Sequence, residues 1–482
     1  MERNLYLLVL LITAGVGAQW LAARLRFPVI LLLLVIGMVA GPCTGVLVPE
    51  QLFGDLLSPF ITLTVAVVMF EGGLTLDLAE ARHVGRALLR MILGGLVLGF
   101  GLTTALAHYV GGLTVGTSAV LGAILVVTGP TVILPLLRGA RIAARPAALL
   151  RWEGIVNDPL GALLALFVLE AVRRSRADAG WSLAEHALGF AGTAAGAGLL
   201  GLLMGFALHR ALDRGWIAEH IKSPVIFASV LLVFGVSDLF GHESGLLAVT
   251  VMGLVLTNVA NAHVEDVRRF KEQFTSLLVS VLFVLQSARL NLTALSGLWG
   301  WPLLVILGVV FVVRPLVVAT SLAGSALPGR ERILLGWIAP RGVVAAAVAG
   351  AFGPELIAAG CADGHLLEPL VFGVIISTVL LHGLSLRPLA RRLHLAHQDG
   401  SGVLVVGASA WAVALSQRLA EAGATVVLAD RRHGSVSRAR MEGLEVHHGD
   451  VLAEEAAMEL PMEQVSWVLA AADDDAYNSL VC

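Results

Sequence analysis

Long apolar runs separated by short polar segments fill the chain up to about residue 392. About thirteen of these runs have the roughly 20 residues that a membrane-spanning helix needs. They lie near residues 4–24, 28–47, 57–77, 87–109, 113–137, 146–172, 186–210, 222–240, 243–261, 270–290, 299–323, 330–353 and 366–390. With 57% hydrophobic residues, 14% charged residues and a mean hydropathy of +0.87, the chain is too apolar for a soluble domain. We therefore predict a polytopic α-helical membrane protein.

The arginines divide the predicted loops into two sets. Alternate loops hold most of them, including Arg24, Arg26, Arg82, Arg86, Arg90, Arg138, Arg141, Arg145, Arg210, Arg214, Arg268, Arg269, Arg330, Arg332, Arg391 and Arg392. The other loops hold few, apart from Arg173, Arg174 and Arg176. Because cytoplasmic loops carry the excess of basic residues, we expect an N-terminus outside and a C-terminal segment inside a bacterial inner (plasma) membrane.

Two predicted spans contain helix-breaking residues in their middle. The fifth span has Thr128-Gly129-Pro130-Thr131, and the twelfth has Pro340-Arg341-Gly342. Proline removes a backbone donor and glycine lets the chain leave the helix, so either break can also be a simple kink. The breaks are seven spans apart, as an inverted repeat of spans 1–6 onto 8–13 requires. Paired broken helices that cross in this way are typical of the binding site of a transporter.

The sixth span carries the ionisable residues. Asp158 falls near its middle, and Glu153 and Asn157 share one helical face beside it. A carboxylate at that depth is costly and therefore indicates a functional site. One buried acid that holds either a proton or a cation is the minimum needed to exchange the two.

The pattern changes after Arg392. A polar linker over 393–401 precedes a predicted strand at 402–407, a helix at 411–422 and further strands at 425–430, 444–447 and 465–470. This order, with Gly407 in the first turn and Asp430 ending the second strand, is typical of a dinucleotide-binding fold, although only the first of three glycines is kept. Asp430 can equally be a solvated strand end. We thus predict a transmembrane domain over 1–392 and a small, incomplete α/β Rossmann-like segment over 402–482.

These motifs resemble those of the monovalent cation–proton antiporters, closest to the NhaP-like sodium–proton exchangers, over residues 1 to about 392. The motifs are Arg26-Phe27-Pro28 with Gly37, Gly41 and Pro42; Phe70-Glu71-Gly72-Gly73-Leu74; Thr128-Gly129-Pro130; Glu153 to Asp158; and Pro340-Arg341-Gly342. The resemblance implies a secondary antiporter that works by alternating access, with no enzyme activity, no required cofactor and no nucleic-acid partner. Its ligands are a monovalent cation and a proton, its surroundings are membrane lipid, and it forms a homodimer.

The resemblance also implies roles for individual residues. Asp158 would be the ion- and proton-binding carboxylate, with Thr128 as a second oxygen ligand for Na⁺. Asn157, Glu153 and Arg341 would match the family's asparagine, preceding acid and span-twelve arginine, and Glu71 an acid near the ion path.

Two positions depart from the family pattern. Gly129 stands where the family commonly has Asp, and Gly154 stands where a small hydroxyl residue often occurs, so two cation-binding oxygens are missing. Asn157 stands where electrogenic relatives have the first of two aspartates. The two lysines, Lys222 and Lys271, are expected in loops and not in the membrane.

A count of the buried charges leads to a mechanism. We expect Glu153 and Arg341 to neutralise one another, which leaves Asp158 as the single uncompensated carboxylate. It must then cross either protonated or carrying one Na⁺ or Li⁺, which gives one-for-one exchange. For Arg314 we expect a structural role, bonded to helix-end carbonyls or to a carboxylate of another span.

Residues Gly449-Asp450 and Asp473-Asp474-Asp475-Ala476-Tyr477-Asn478 resemble the TrkA-N (RCK-type) domain of potassium channels and transporters. This favours an alternative function, a K⁺/H⁺ antiporter or K⁺ efflux system gated by a nucleotide such as NAD(H), AMP or ATP. A passive channel is a third alternative, but the sequence has no TVGYG-like filter. The glycine-rich stretch 189–205 can serve dimerisation or packing within the chain.

Overall fold

The computed structural model describes residues 2–25, 29–140, 142–177, 182–241, 244–259, 265–290, 298–396, 402–452 and 465–481. The chain divides into two compact units, Met1–Leu393 and His394–Cys482. The sequence motif Arg26-Phe27-Pro28 lies outside the described residues.

The first unit is entirely helical in its regular structure within the described ranges. Its α-helices are α1 (Glu2–Leu25), α2 (Val29–Met38), α3 (Pro49–Phe53), α4 (Leu57–Leu74), α5 (Leu78–Val84), α6 (Arg86–Gly94), α7 (Phe100–Tyr109), α8 (Val115–Ile124), α9 (Pro130–Ala140), α10 (Ala144–Ala177), α11 (Leu183–Asp213), α12 (Lys222–Phe240), α13 (Ser244–Val259), α14 (Glu265–Ala288), α15 (Trp301–Gly308), α16 (Arg314–Ser321), α17 (Gly329–Trp337), α18 (Val343–Ala358) and α19 (Leu367–Arg392).

Among the described residues, eight helical stretches are long and apolar enough to cross a membrane, and five shorter apolar helices accompany them. Every one of the thirteen predicted spans overlaps one of these stretches. Among the described residues, three spans contain π-helical turns: Val39–Cys43 directly after α2, Gly95–Gly99 between α6 and α7, and Val309–Val313 between α15 and α16. The last two lie in the fourth and the eleventh span, which are seven spans apart, as are the two helix breaks.

Both predicted breaks are present. The chain leaves the helix between Ile124 and Pro130, and again between Trp337 and Val343. Pro130 suits the first position of α9, where no backbone donor is needed. Gly342 is extended, with φ −108° and ψ −176°. Each break therefore follows directly from the glycine and proline content of its span.

Helix α13 packs closely between α4 and α11, because glycines lie at both contacts. A Cβ atom on Gly73 of α4 would lie 2.3 Å from the Thr250 carbonyl oxygen, and one on Gly253 of α13 would lie 2.4 Å from the Phe70 carbonyl oxygen. Gly201 of α11 approaches the Ala248 carbonyl equally closely. Such contacts bring backbones together where the lipid gives no hydrophobic driving force.

Only part of the glycine-rich stretch of α11 packs against another helix of the chain. Gly201 and Gly205 pack against α13, whereas Gly192, Gly196 and Gly198 have no other atoms within 4 Å of an added Cβ. Packing within the chain thus accounts for the end of the stretch that is nearer to Asp213.

The second unit is a four-stranded parallel sheet with strand order β3-β2-β1-β4. The strands are β1 (Gly402–Val406), β2 (Val426–Asp430), β3 (Glu445–His448) and β4 (Val465–Ala470), and the helices are α20 (Ala410–Glu421), α21 (His433–Met441) and α22 (Asp475–Val481). The sheet is buried on both faces: Val405 and Leu428 lie in one apolar cluster, and Leu404 and Val427 in the other. This order confirms the predicted Rossmann-like arrangement.

The crossing of the two breaks gives a steric prediction. A Cβ atom on Gly342 would lie 2.7 Å from the Gly129 Cα atom, and neither backbone can yield easily. We expect Gly342→Ala to destabilise the protein by about 1–3 kcal/mol, the usual cost of overpacking. Thermal unfolding in detergent measures the change. Gly235→Ala in α12 is the matched control, since nothing lies within 4 Å of its added Cβ, and an equal fall in melting temperature for both variants would contradict the prediction.

Candidate ion site at the helix crossing

The two helix breaks meet at a pair of glycines. A Cβ atom on Gly129 would lie 2.5 Å from the Gly342 Cα atom, so no side chain can stand at position 129. The hydroxyl oxygen of Thr131 is 3.3 Å from either of the two added Cβ positions. The crossing is therefore open backbone with one hydroxyl beside it.

Arg341 bonds to the first break. Its Nη1 donates to the carbonyl oxygens of Val126 (3.3 Å) and Val127 (3.1 Å), and its backbone N–H donates to the Thr378 hydroxyl (3.3 Å). The expected ion pair between Arg341 and Glu153 is wrong. The carbonyl groups that follow the end of α8 have no donor within the helix, and at membrane depth they must still be hydrogen-bonded. Arg341 provides the donor.

Glu153 pairs instead with Arg314. The guanidinium donates through both terminal nitrogens to the two carboxylate oxygens, with a distance of 2.7 Å from Nη2 to Oε2. Arg314 also donates from Nε to the Leu335 carbonyl (3.0 Å) and from Nη2 to the Ile338 carbonyl (3.0 Å). Arg314 therefore binds both helix-end carbonyls and a carboxylate of another span, the two kinds of partner that we expected for it. The pair is buried, with side-chain exposures of 6% and 2%.

Asp158 has no such partner. It is 0% exposed, and neither of its carboxylate oxygens has a hydrogen-bond partner among the described residues. The Oδ1 atom of the neighbouring Asn157 and the Thr131 hydroxyl are also buried and unpartnered within that part of the chain. Within the described part of the chain, four buried oxygens that can bind a cation thus have no hydrogen-bond partner, and two of them belong to the Asp158 carboxylate, which can also bind a proton.

Helix α10 is held against the first break by small residues. Gly161 meets Val127, and an added Cβ on Gly154 would lie 2.9 Å from Ile133 and 3.6 Å from the Thr128 carbonyl oxygen. A side chain at Gly154 would therefore crowd the Ile133 side chain of α9. The Thr128 hydroxyl donates to the Glu153 carbonyl at 3.4 Å, which ties the break to the helix that carries Asp158.

The remaining predicted residues lie around this centre. Glu71 is half-buried on α4, next to Gly72, whose added Cβ would contact Ile155 and Pro130. An added Cβ on Gly95, in the π turn between α6 and α7, would lie 3.1 Å from the Asn157 amide nitrogen. The structure therefore brings Glu71, Asn157 and the first break to neighbouring positions, although they are distant in sequence.

The sequence prediction missed two features. Thr131 was seen only as part of a break motif, although its position beside Pro130 was a usable signal. The expectation that both lysines lie in loops is also wrong, because Lys222 begins α12 with a buried side chain and Lys271 lies within α14.

In the second unit, Gly407 and Asp430 meet at the carboxyl ends of the strands. Gly407 has φ +109°, and an added Cβ would lie 2.5 Å from the Ala471 carbonyl, so only glycine suits this turn. The Asp430 carboxylate accepts from the backbone N–H groups of Ala408 and Arg432, each at 2.7 Å. Burial alone would raise the pKa of Asp430, but these bonds and the Arg432 guanidinium outweigh it and lower that pKa.

A cavity of about 180 Å³ lies beside these two residues. Tyr477 lines it, donates to the Asp450 carboxylate at 2.6 Å and thereby lowers the pKa of Asp450. The Arg431 guanidinium lies 4.2 Å from the centre of the Tyr477 ring. Ser409, which replaces the second glycine of the motif, accepts from the Ala412 N–H at 3.4 Å and so caps α20.

Two crossed broken helices, beside a buried carboxylate that has no hydrogen-bond partner among the described residues, are typical of a secondary transporter. The family model for the transmembrane part of sodium/hydrogen exchangers matches residues 8–392, and the TrkA-N domain model matches residues 403–482. The chain belongs to the sodium/hydrogen exchanger family and is a multi-pass cation/proton antiporter of the NhaP type, not an enzyme.

The relatives of this chain are named for two different cations, K⁺ and Na⁺. The chain is 25% identical over 424 residues to the K⁺/H⁺ antiporter NhaP2 of Shewanella sp. strain ANA-3, covering 84% of this chain and 70% of that protein. It is 26% identical over 373 residues to Na⁺/H⁺ antiporter 1 of Methanocaldococcus jannaschii, covering 73% and 83%. The structure of the sodium proton antiporter MjNhaP1 from that organism at pH 8 shares the fold, with a TM-score of 0.69, 23% identity and coverage of 81% and 98%.

The Arg314–Glu153 pair gives a stability prediction. Arg314→Met would leave Glu153 buried without a cation, which costs about 3–5 kcal/mol. We expect a large fall in the thermal unfolding temperature in detergent, and partial recovery in the double variant Arg314→Met with Glu153→Met. Arg289→Met is the control, since its partner Glu50 is half-exposed and such pairs contribute only about 0–1 kcal/mol. A double variant less stable than Arg314→Met would contradict the assignment.

Proposed function

We propose that the protein exchanges one monovalent cation for one proton by competition at Asp158. The observation that carries the proposal is the complete burial of Asp158 with both carboxylate oxygens unpartnered among the described residues. A bare carboxylate is too costly at membrane depth. It must therefore be protonated or bound to a cation whenever the site moves between the two sides.

The charges at the crossing favour electroneutral exchange. Glu153 and Asp158 are two buried carboxylates, and Arg314 and Arg341 are two buried guanidinium groups. Arg314 pairs with Glu153 and Arg341 bonds to backbone carbonyls, so neither guanidinium contacts Asp158. A proton and a monovalent cation each add one positive charge to Asp158, so the two loaded states have the same net charge and a one-for-one exchange moves no net charge across the membrane.

The other oxygens would complete the cation site. In this proposal Thr128, Asn157 and the newly found Thr131 supply amide, hydroxyl or carbonyl oxygens, and Glu71 lies on the approach from α4. Arg341 and the Arg314–Glu153 pair hold the two breaks in place. The geometric support is that the Asn157 Oδ1 and Thr131 Oγ1 atoms are buried and lack a hydrogen bond within the described chain.

Sodium or lithium is the cation that we propose first. Small hard cations prefer oxygen ligands, and carboxylate, amide and hydroxyl oxygens are the groups found here. Potassium is the second candidate. It is favoured by Gly129 and Gly154, where two oxygen-bearing side chains are missing, and by the relatives named K⁺/H⁺ antiporters.

We also propose a homodimer in a bacterial inner membrane, with the N-terminus outside and the C-terminal unit in the cytoplasm. The arginine-rich alternate loops support the orientation. The open glycines of α11, Gly192, Gly196 and Gly198, offer a close-packing face for a second copy.

Transport in proteoliposomes tests the central proposal. We expect wild-type protein to dissipate a pH gradient when Na⁺, Li⁺ or K⁺ is added, with a rate that does not change when the membrane potential is clamped. Asp158→Asn should reduce that rate at least about 100-fold, because the amide cannot exchange a proton. The ion that saturates at the lowest concentration identifies the cation.

The matched control is Glu170→Gln. Glu170 lies on the same helix but is half-exposed and paired with Arg174, so transport should persist. Full activity of Asp158→Asn would contradict the proposal, and a rate that follows the clamped potential would exclude one-for-one exchange.

For the second unit we propose regulation by a bound nucleotide. Support comes from the cavity at the carboxyl ends of the strands, between Gly407, Asp430 and Tyr477. At about 180 Å³ it is smaller than most ligand pockets, and Ser409 stands where a pyrophosphate needs glycine. We therefore propose AMP, which has a single phosphate, in preference to ATP or NAD(H), which both contain a pyrophosphate.

Calorimetric titration of the full chain with AMP, ATP and NADH tests this preference. We expect AMP to bind more tightly than ATP or NADH, and Ser409→Gly to narrow the difference in affinity by opening the helix terminus to a second phosphate. Glu421→Gln, an exposed change on the same helix α20, should leave every affinity unchanged. Tighter binding of ATP or NADH than of AMP by the wild type would contradict the proposal.

A further inference from the structure

A lipid-facing groove lies between α16, α17 and α19, away from the ion site. Its volume is about 630 Å³, and its walls include Ala319, Gly336, Trp337 and Leu389. A second depression of about 550 Å³ continues along α19 and shares Ser385, Pro388 and Arg392 with the first. The groove exists because Ala319 and Gly336 present almost no side chain between the helices.

The wall formed by α19 is a single helical stripe. Its residues recur every three or four positions, as one face of a helix requires: Ser377, Leu380, Leu381, Leu384, Ser385, Pro388, Leu389 and Arg392. From Ser377 to Pro388 the helical rise gives about 16 Å. This length is close to half of the roughly 30 Å hydrocarbon core of a bilayer, so the apolar stripe matches one leaflet.

Two arginines stand at the end of this stripe. Arg392 is exposed and lies one helical turn beyond Pro388, where the headgroup region of that leaflet would begin. The Arg332 side chain is held in place by two backbone carbonyls, because its Nε donates to the Leu327 carbonyl (3.0 Å) and its Nη2 to the Ser325 carbonyl (2.7 Å). Among the described residues, neither arginine forms a salt bridge with a carboxylate. Two positive groups thus face one apolar groove, and neither has a carboxylate partner in the part of the chain that the structure describes.

We propose that this groove binds an anionic phospholipid. Its phosphate contacts Arg332 and Arg392, and one acyl chain lies along α19 from Pro388 to Ser377. Basic pockets between membrane helices are known to hold anionic headgroups, and the charge, the length and the apolar lining all match a lipid of one leaflet. The site is separate from the proposed cation site, so its test does not depend on transport.

The groove also touches the second helix break. Its wall includes Trp337, the last residue of α17, whose indole N–H donates to the Ser385 hydroxyl at 2.7 Å. The carbonyls of Leu335 and Ile338 beside it are those that Arg314 binds. A bound acyl chain therefore packs against the half-helix that ends at the crossing, and it would stabilise that helix.

The test is a titration of the purified full chain with phosphatidylglycerol or phosphatidylcholine in detergent, followed by native mass spectrometry. We expect the wild type to retain phosphatidylglycerol in preference to phosphatidylcholine. Arg392→Gln should weaken phosphatidylglycerol binding about tenfold, the effect of losing one charged hydrogen bond. Arg391→Gln is the matched control, since this exposed neighbour does not line the groove and should keep the wild-type affinity.

A second variant tests the acyl-chain part of the site without changing charge. Ala319→Phe fills the exposed space between α16 and α19, and it should abolish retention of either lipid while the protein still elutes as a folded species. Equal binding of the two lipids by the wild type, equal losses in Arg391→Gln and Arg392→Gln, or unchanged retention by Ala319→Phe would each overturn the proposal.

Discussion

The structure depends on one constraint: backbone that leaves a helix at membrane depth must still have its polar groups bonded. Two arginines meet that need at two helix ends. Arg341 binds the carbonyls of Val126 and Val127 after α8, and Arg314 binds those of Leu335 and Ile338 at the end of α17. A cation is also favoured there by the negative end of each helix dipole. The crossing of Gly129 with Gly342 is sustainable only because these carbonyls have donors.

The constraint also separates the roles of the two acids on α10. Two buried guanidinium groups require negative charge nearby, and Glu153 provides it through a two-point contact with Arg314. That contact uses both oxygens of Glu153, so this acid is not available to a migrating ion. Asp158, five residues further along, is left without a bond among the described residues. One acid thus stabilises the break, and the other remains available for the chemistry that we propose.

Much of the fold could be predicted because its signals are local. The thirteen apolar runs, the Gly-Pro and Pro-Arg-Gly breaks and the strand pattern after Arg392 each reflect residues close in sequence. The pairing of Glu153 with Arg314 could not be predicted in this way, since the two are 161 residues apart. Charge alone allowed either arginine as the partner, and the choice depends on which helix end each one reaches. The π turn Val309–Val313 that precedes Arg314 could not be predicted either, because a run of valines has no sequence signal for it.

Two adjacent glycines of α4 show how such a bundle can combine rigidity with movement. Gly73 meets the α13 backbone at a distance that excludes any side chain, and the reciprocal Gly253 does the same from the opposite side. These two helices therefore interlock. Gly72 faces Ile155 of α10, and an added Cβ would have only ordinary contacts there, at 3.4 Å and 3.5 Å. A surface without interlocking backbone is the kind along which packed helices slide by shear. Glu71 directly precedes Gly72 and Gly73 in α4. It therefore lies where the interlocked pair of α4 and α13 borders α10, the helix that carries Asp158.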